Sequence, residues 1–258
     1  MKIALMKKGK PILSHRPASG DHAFTRLELL AVLACLVFLA LVQLPSLGKS
    51  REGSHEAVCM NNMRQLGVAL LMYTEVNHDF VPEEGNIANT IFNAANSDAW
   101  YNLGVQGYFP SMASLYLSNN IPLPGTGSIY SCPSASPPLF SPSFGTNFFM
   151  YGMNNWICVN KSSRAAGLTQ TILSTIPKPR DTVFLTEVDD TAMALPAISG
   201  ATPPYAPSRH LGNGFFTMTD GHVRSARTNE YQHAAGSATV EWSTLQTMYW
   251  WPTPTTPQ

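Results

Sequence analysis

The residue types that could do chemistry fall into four groups. His210, Asp220 and His222 bring two imidazoles and a carboxylate, the groups from which metal or hydrolytic sites are made. No acid–histidine–nucleophile set is spaced to complete such a site. Asp220-Gly221, set between two short apolar pieces, also has a plainer explanation as a hairpin turn. His210, Asp220 and Gly221 are therefore expected to be structural, with His210 hydrogen-bonded to loop backbone. Glu187-Val188-Asp189-Asp190 is the densest acidic cluster and offers the oxygen donors a hard cation such as calcium needs. Such clusters are more often solvated loops, so no metal ligand is assigned.

The third group is the four cysteines, Cys35, Cys59, Cys132 and Cys158. They form no Cys-x-x-Cys pair and have no histidine nearby at zinc-ligand spacing. Cys35 sits within an apolar run and reads as a small hydrophobe. Outside the cytoplasm the other three would give one disulfide and one spare thiol. The sequence leaves the pairing open, Cys59 with Cys132 being one possible pair. The fourth group is a single residue, Glu28, at the edge of that apolar run. A carboxylate beside hydrocarbon is costly and calls for a partner or a task.

The elements that position these residues begin with the run itself. Residues 29–42 are uninterruptedly apolar, and tolerating Glu28, Gln43 and Pro45 extends the stretch to 27–47. Coiled as a helix, twenty-one residues span roughly 31 Å, about one hydrocarbon thickness. Lys2, Lys7, Lys8, Lys10 and Arg16 precede it against the single acid Asp21, so the amino terminus is expected to stay cytoplasmic. No small-x-small cleavage site follows the run. Instead Cys59, Met63, Leu66, Leu70 and Tyr73 continue a helical stripe, with Asn61, Asn62, Arg64, Gln65 and Glu75 mostly on the other faces. The spacing predicts one helix from Phe24 to about Asn77, kinked at Pro45.

Beyond it, proline, glycine, serine and asparagine dominate residues 80–210. Trp100–Tyr108 and Ser114–Leu117 together suggest a short helix and loops, and Thr182–Thr186 is a clear strand expected to pair with a hairpin over 215–224. A two-residue Asp220-Gly221 turn would put Phe216, Met218 and Val223 on one face. Residues 190–208 read as a long exposed loop. The tryptophan-rich stretch Trp242–Trp251 reads as packing on the domain or as an interaction patch. Residues 252–258 are expected to be disordered.

Composition narrows the class. The 258-residue chain has sixteen basic and sixteen acidic residues and only 12% charged positions, which leaves no electrostatic footprint for nucleic acid. Twenty prolines and eighteen glycines argue against a helical bundle. The fold class expected is α+β, a long amino-terminal helix packed on a small antiparallel sheet with long loops.

The stretch Ala23-Phe24-Thr25-Arg26-Leu27-Glu28-Leu29-Leu30 resembles the start of type IV prepilins and type II secretion pseudopilins. In that family a basic leader is cut before a phenylalanine, the new amino terminus is methylated, and a glutamate stands fifth. Here Phe24 would be first, Glu28 is fifth, and Pro45 stands seventeen residues further on, in the family's place for proline. The chain departs from the pattern at Ala23, where glycine is usual, and at Arg26, where an aliphatic residue is usual. Cys59–Gly67 with Tyr73 and Asn77, Cys132-Pro133-Ser134, Tyr151–Asn154, and Arg209-His210 followed after nine residues by Asp220-Gly221-His222-Val223 resemble the His-x9-Asp-Gly prepilin-like proteins of planctomycete and verrucomicrobial relatives.

The resemblance implies a leader (1–23), a membrane and assembly helix (24–47), its soluble continuation (48–79), an extracytoplasmic pilin-like domain (80–251) and a tail (252–258). It implies cleavage between Ala23 and Phe24, methylation of Phe24, and a role for Glu28 and Pro45 in assembly, with Glu28 meeting a neighbouring subunit's amine. The partners implied are the membrane, the prepilin peptidase/methyltransferase and other pilin or pseudopilin subunits. No cofactor and no enzymatic activity are implied. The location implied is the inner membrane, single-pass, with the amino terminus cytoplasmic. A reading of a different class is a membrane-tethered extracytoplasmic binding module that never polymerises.

Overall fold

The computed structural model describes residues 25–85, 99–103, 105, 107–136, 149–157, 171–189, 197–198, 209–232 and 237–254, and of helix residues 42–47 and 49 the backbone alone. The expected leader, the pair Ala23–Phe24, and Cys158 lie outside these residues. The chain divides into two compact units, Met1–Gly48 and Lys49–Gln258.

In the first unit helix α1 (Arg26–Val76) begins. Its start is fixed by a reciprocal cap. Thr25 Oγ1 accepts from the Glu28 N–H at 3.2 Å, while the Thr25 N–H and hydroxyl donate to Glu28 Oε2 at 2.8 and 3.0 Å. The carboxylate that seemed to want a partner therefore has one three residues away. Leu27, Leu29, Leu30, Leu33, Leu36, Val37 and Phe38 are all exposed. Among the described residues no helix is long and apolar enough to cross a membrane. The span expected over 27–47 runs past Leu41 into positions whose side chains are not described.

In the second unit α1 continues to Val76, within a residue of the expected end. The stripe Cys59, Met63, Leu66 and Leu70 is fully buried, with Tyr73 half-buried. The buried face is wider than the apolar pattern suggests, because Asn62 and Gly67 lie on it too. Asn62, expected on an outer face, donates from Nδ2 to the Ser131 carbonyl at 2.9 Å. Burial of its amide is tolerable because that bond is made. Of the two pieces expected to give a short helix and loops, the second carries helix α2 (Met112–Leu117), capped by Ser111.

Four strands form an antiparallel core: β1 (Tyr151–Asn154), β2 (Val183–Glu187), β4 (Asn213–Met218) and β5 (Val223–Arg227). The sheet order is β3-β1-β2-β4-β5. Strand β3 (Ala197–Ile198) adds parallel to β1, so the stretch expected to be only loop supplies an edge strand. β2 pairs with β4, as the alternation of Thr182–Thr186 predicted.

The β4–β5 turn differs from the two-residue turn expected. The Gly221 N–H donates to Met218 O at 2.8 Å, and the Met218 N–H donates to His222 O at 2.8 Å. Gly221 has φ 89°, so Thr219-Asp220-Gly221 is a three-residue loop closed by a glycine bulge. That one-residue change pairs Thr217 with Val223 and moves Val223 off the face of Phe216 and Met218. A Cβ on Gly221 would also stand 2.5 Å from Leu71 Cδ1 of α1, so both the turn and the helix contact select glycine.

Both faces of the sheet are covered. On one face Phe215 and Leu185 join the core under α1, where Thr217 Oγ1 donates to the Met63 carbonyl at 3.1 Å. The Thr217 methyl presses on Gly67, where a Cβ would lie 2.5 Å away. On the other face Val183, Phe216, Met218 and Ala226 pack with Tyr231 of α3 (Thr228–Tyr231), Met248 and Trp250. The carboxyl-terminal segment is thus a structural layer and not an exposed patch. Trp156 stacks on Trp251 at 3.7 Å between centroids. Glu241 of α4 (Ala238–Trp242) accepts the N–H groups of Trp250 and Trp251, and Asn154 Nδ2 donates to Val183 O and Trp250 O, each at 2.7 Å. Pro252, expected in a disordered tail, is buried; residues 255–258 lie outside the described ones.

Candidate functional site: a buried cysteine, histidine and glutamate cluster

His210 is delivered by a tight turn. His210 and Asn213 exchange backbone hydrogen bonds at 3.2 and 3.0 Å around Leu211 (φ 52°) and Gly212 (φ 90°). Two central residues at positive φ define the mirror-image turn that suits a twisted hairpin. Leucine is a poor choice there and costs on the order of 1 kcal/mol. Its side chain is exposed and gains no burial in return. The turn aims His210 inward, where it is fully buried against the Phe215 ring.

Glu187 arrives from the last position of β2, two residues after Leu185, opposite Tyr151 in register. Its Oε2 accepts the Phe215 N–H at 3.1 Å, and its Oε1 lies 2.9 Å from His210 Nε2. Arg209 Nη1 stands 3.8 Å from the same oxygen, while Nη2 donates to Val188 O at 2.7 Å. From α1, Glu52 Oε1 lies 3.3 Å from His210 Nδ1 and accepts the Ser134 hydroxyl at 2.9 Å. Both ring nitrogens of His210 therefore face carboxylate oxygens, the arrangement of an imidazolium donating twice.

The pKa of His210 follows the same balance. Burial works against its charge, but the hydrogen bonds and charge of Glu187, aided by Glu52, outweigh burial and the opposing Arg209. The imidazole is held above its ordinary value. Burial, reinforced by the Glu187 charge, pushes the Tyr151 phenol well above its ordinary range.

Beside this network α1 supplies Cys59 and the loop after α2 supplies Cys132, joined in a disulfide with Cα atoms 5.2 Å apart. Cys132 Sγ is 3.6 Å from His210 Nε2. The sulfurs, Glu187 and His210 are all buried, and their four ligand-type atoms lie within 4.8 Å of one another. Sequence spacing does not show this cluster, because its bonded or touching members stand 23, 73 and 78 residues apart along the chain. The one local signal is parity: Glu187 follows Leu185 by two positions and so shares its inward face.

The other residues singled out from sequence do not join this cluster. Asp220 and His222 sit at the far end of β4, a six-residue strand or roughly 20 Å. There Asp220 Oδ1 accepts the His222 N–H at 3.2 Å and meets His222 Nδ1 at 2.6 Å, a local turn contact. Glu187 is withdrawn from the expected acidic cluster by its burial, and Asp190 lies outside the described residues. Cys35 is exposed on α1. No family model, curated protein or solved structure matches the chain. What the cluster does chemically in its disulfide form is to tie α1 to the sheet. It presents no exposed nucleophile.

Proposed function

We propose that this chain is a pilin-like structural subunit. It is cut before Phe24, methylated there, and assembled with other subunits through the apolar part of α1. The observation that carries the reading is the division of one helix into two kinds of surface. Up to Leu41 its large apolar side chains are exposed. From Cys59 onward its stripe is buried under the sheet and pinned by a disulfide. Apolar side chains left in water favour lipid or identical helices, and the basic residues before them orient the chain with its amino terminus in the cytoplasm.

Glu28 then has two possible acceptor tasks on this reading. In the single chain it caps α1 through Thr25. In the assembled fibre its second oxygen meets the methylated amine of a neighbouring Phe24 and sets subunit register. The alternative of a tethered binding module would need its aromatic loops at the surface, and the burial of Trp250 and Trp251 favours the structural reading over it.

Mass spectrometry of the amino terminus isolated from membranes tests the proposal. A chain beginning at N-methyl-Phe24 is the expected result. An intact leader, or a cut at any other bond, would overturn it.

A further inference from the structure

We propose that Cys59, Cys132, Glu187 and His210 are a zinc site in the chain whose two cysteines are still thiols, so that zinc and the disulfide are alternative fastenings of the same four elements. The donor set is two sulfurs, one imidazole nitrogen and one carboxylate oxygen. That mixture is borderline-soft and suits four-coordinate Zn2+ better than Ca2+ or Mg2+. One separation already agrees, while the two sulfurs, joined in the disulfide, must part to bind the ion. Tetrahedral zinc with ordinary Zn–S and Zn–N bonds places sulfur and nitrogen about 3.5 Å apart, and Cys132 Sγ lies 3.6 Å from His210 Nε2. All four ligand-type atoms fall within 4.8 Å.

The surroundings of the histidine carry the inference further. A zinc-bound imidazole needs its other nitrogen held, and Glu52 Oε1 stands 3.3 Å from Nδ1. Glu52 is itself oriented by the Ser134 hydroxyl at 2.9 Å. Glu187 keeps one oxygen on the Phe215 N–H and turns the other toward Nε2. Two thiolates and a carboxylate around Zn2+ leave one negative charge, and Arg209 Nη1 lies 3.8 Å from Glu187 to meet it. All four ligands are buried, which marks a closed structural site without an open catalytic position.

The proton balance is complete without an added reductant, because a newly made chain carries thiols. Two Cys S–H groups and the Nε2–H of the His210 imidazolium give up three protons as two Zn–S bonds and one Zn–N bond form; Glu187 binds as the carboxylate. Formation of the S–S bond, by exchange with an external disulfide that takes the two electrons and leaves as two thiols, removes both sulfurs as thiolate ligands, so the two states exclude each other. Glu52 is a positioning residue that acts through the imidazole.

The test uses the full chain, unfolded with a phosphine reductant and refolded anaerobically in detergent micelles with or without Zn2+. After washing over a chelating resin, one zinc per reduced chain and none per disulfide-bonded chain is expected. Co2+ in its place should show tetrahedral ligand-field bands with thiolate charge transfer. His210→Gln and Glu187→Gln should each weaken zinc binding at least tenfold, and Glu52→Gln about ten- to a hundredfold, with the free-thiol count unchanged. If the reduced chain folds only with metal, one equivalent of Zn2+ should restore its far-ultraviolet circular dichroism.

Three results overturn the proposal: no zinc kept by the reduced chain, no restoration of fold by zinc, or equal zinc in the disulfide form or the His210→Gln/Glu187→Gln double variant. The last would mark an adventitious ion only. These readings are made on the purified chain and do not depend on whether it assembles.

Discussion

The two ends of strand β4 belong to one short signature, His210 through Gly221, yet they are held by different physics. At the His210 end, a part-exposed Glu52, a buried Glu187 and a buried disulfide converge from three other parts of the chain, with the neighbouring Arg209 beside them. At the Asp220 end the contacts are those of a turn held by backbone: a three-residue loop, a glycine at positive φ, an aspartate bonded to the residue two ahead, and N–H groups of Thr219 and Asp220 donated to Thr182 O and Pro179 O. The nine-residue spacing is then a measure of length. It is one strand plus the turns that flank it. The difference teaches that a sequence pattern can join a long-range electrostatic site to a backbone requirement without the two sharing any chemistry.

Substitution at each end should expose that difference. His210→Ala removes the group between two carboxylates and leaves buried Glu187 with the Phe215 N–H and the more distant Arg209. A loss of about 3–5 kcal/mol is expected, the range for breaking a buried ion pair. Asp220→Ala gives up a part-exposed turn contact and a long ion pair to the exposed Arg180, and should cost less than about 1 kcal/mol. Denaturant titrations of both variants check the contrast, and equal losses would break it. Gly221→Ala should fall between, at about 2 kcal/mol, since it adds backbone strain and crowds Leu71. Relief of that loss by Leu71→Ala, measured as a double-mutant cycle, would separate crowding from strain.

Smaller effects sharpen the His210 end. His210 is held above its ordinary value in the folded, metal-free disulfide form. Its contribution should be complete below about pH 6.5, the unfolded value, and should fade as pH rises through the folded value. The stability gap between the wild-type chain and His210→Gln should therefore narrow with rising pH in a chelator-containing buffer. A gap that widens would reverse the sign assigned here. Leu211→Gly is the mildest change. Relief of the positive-φ leucine should add about 1 kcal/mol, partly offset by the flexibility glycine brings to the unfolded chain, and thermal melting should show a higher Tm.

Much of the fold was legible because its signals are periodic. The buried stripe from Cys59 to Leu70 gave the helix, and the alternation from Thr182 to Thr186 gave β2 and its neighbour. The hairpin register was not legible, because Asp220-Gly221 fits both a two-residue turn and the last two positions of a three-residue loop. Asn62 read as outward-facing because it is polar, whereas it is buried with a hydrogen bond to a carbonyl, as is Thr217 on the α1 face of the sheet. Glu187 read as part of a solvated acidic run for the same reason. Its neighbours Arg209, His210 and Phe215 N–H lie too far along the chain for spacing to announce them.

The reciprocal bonds between Thr25 and Glu28 also say where the instructions for starting α1 are written. Every atom of that cap belongs to Thr25 or Glu28, including the amide N–H that Thr25 contributes. A chain beginning at Phe24 keeps all of them. Removal of the preceding residues would thus leave the helix origin chemically unaltered, and a peptidase could work beside it without unravelling the first turn.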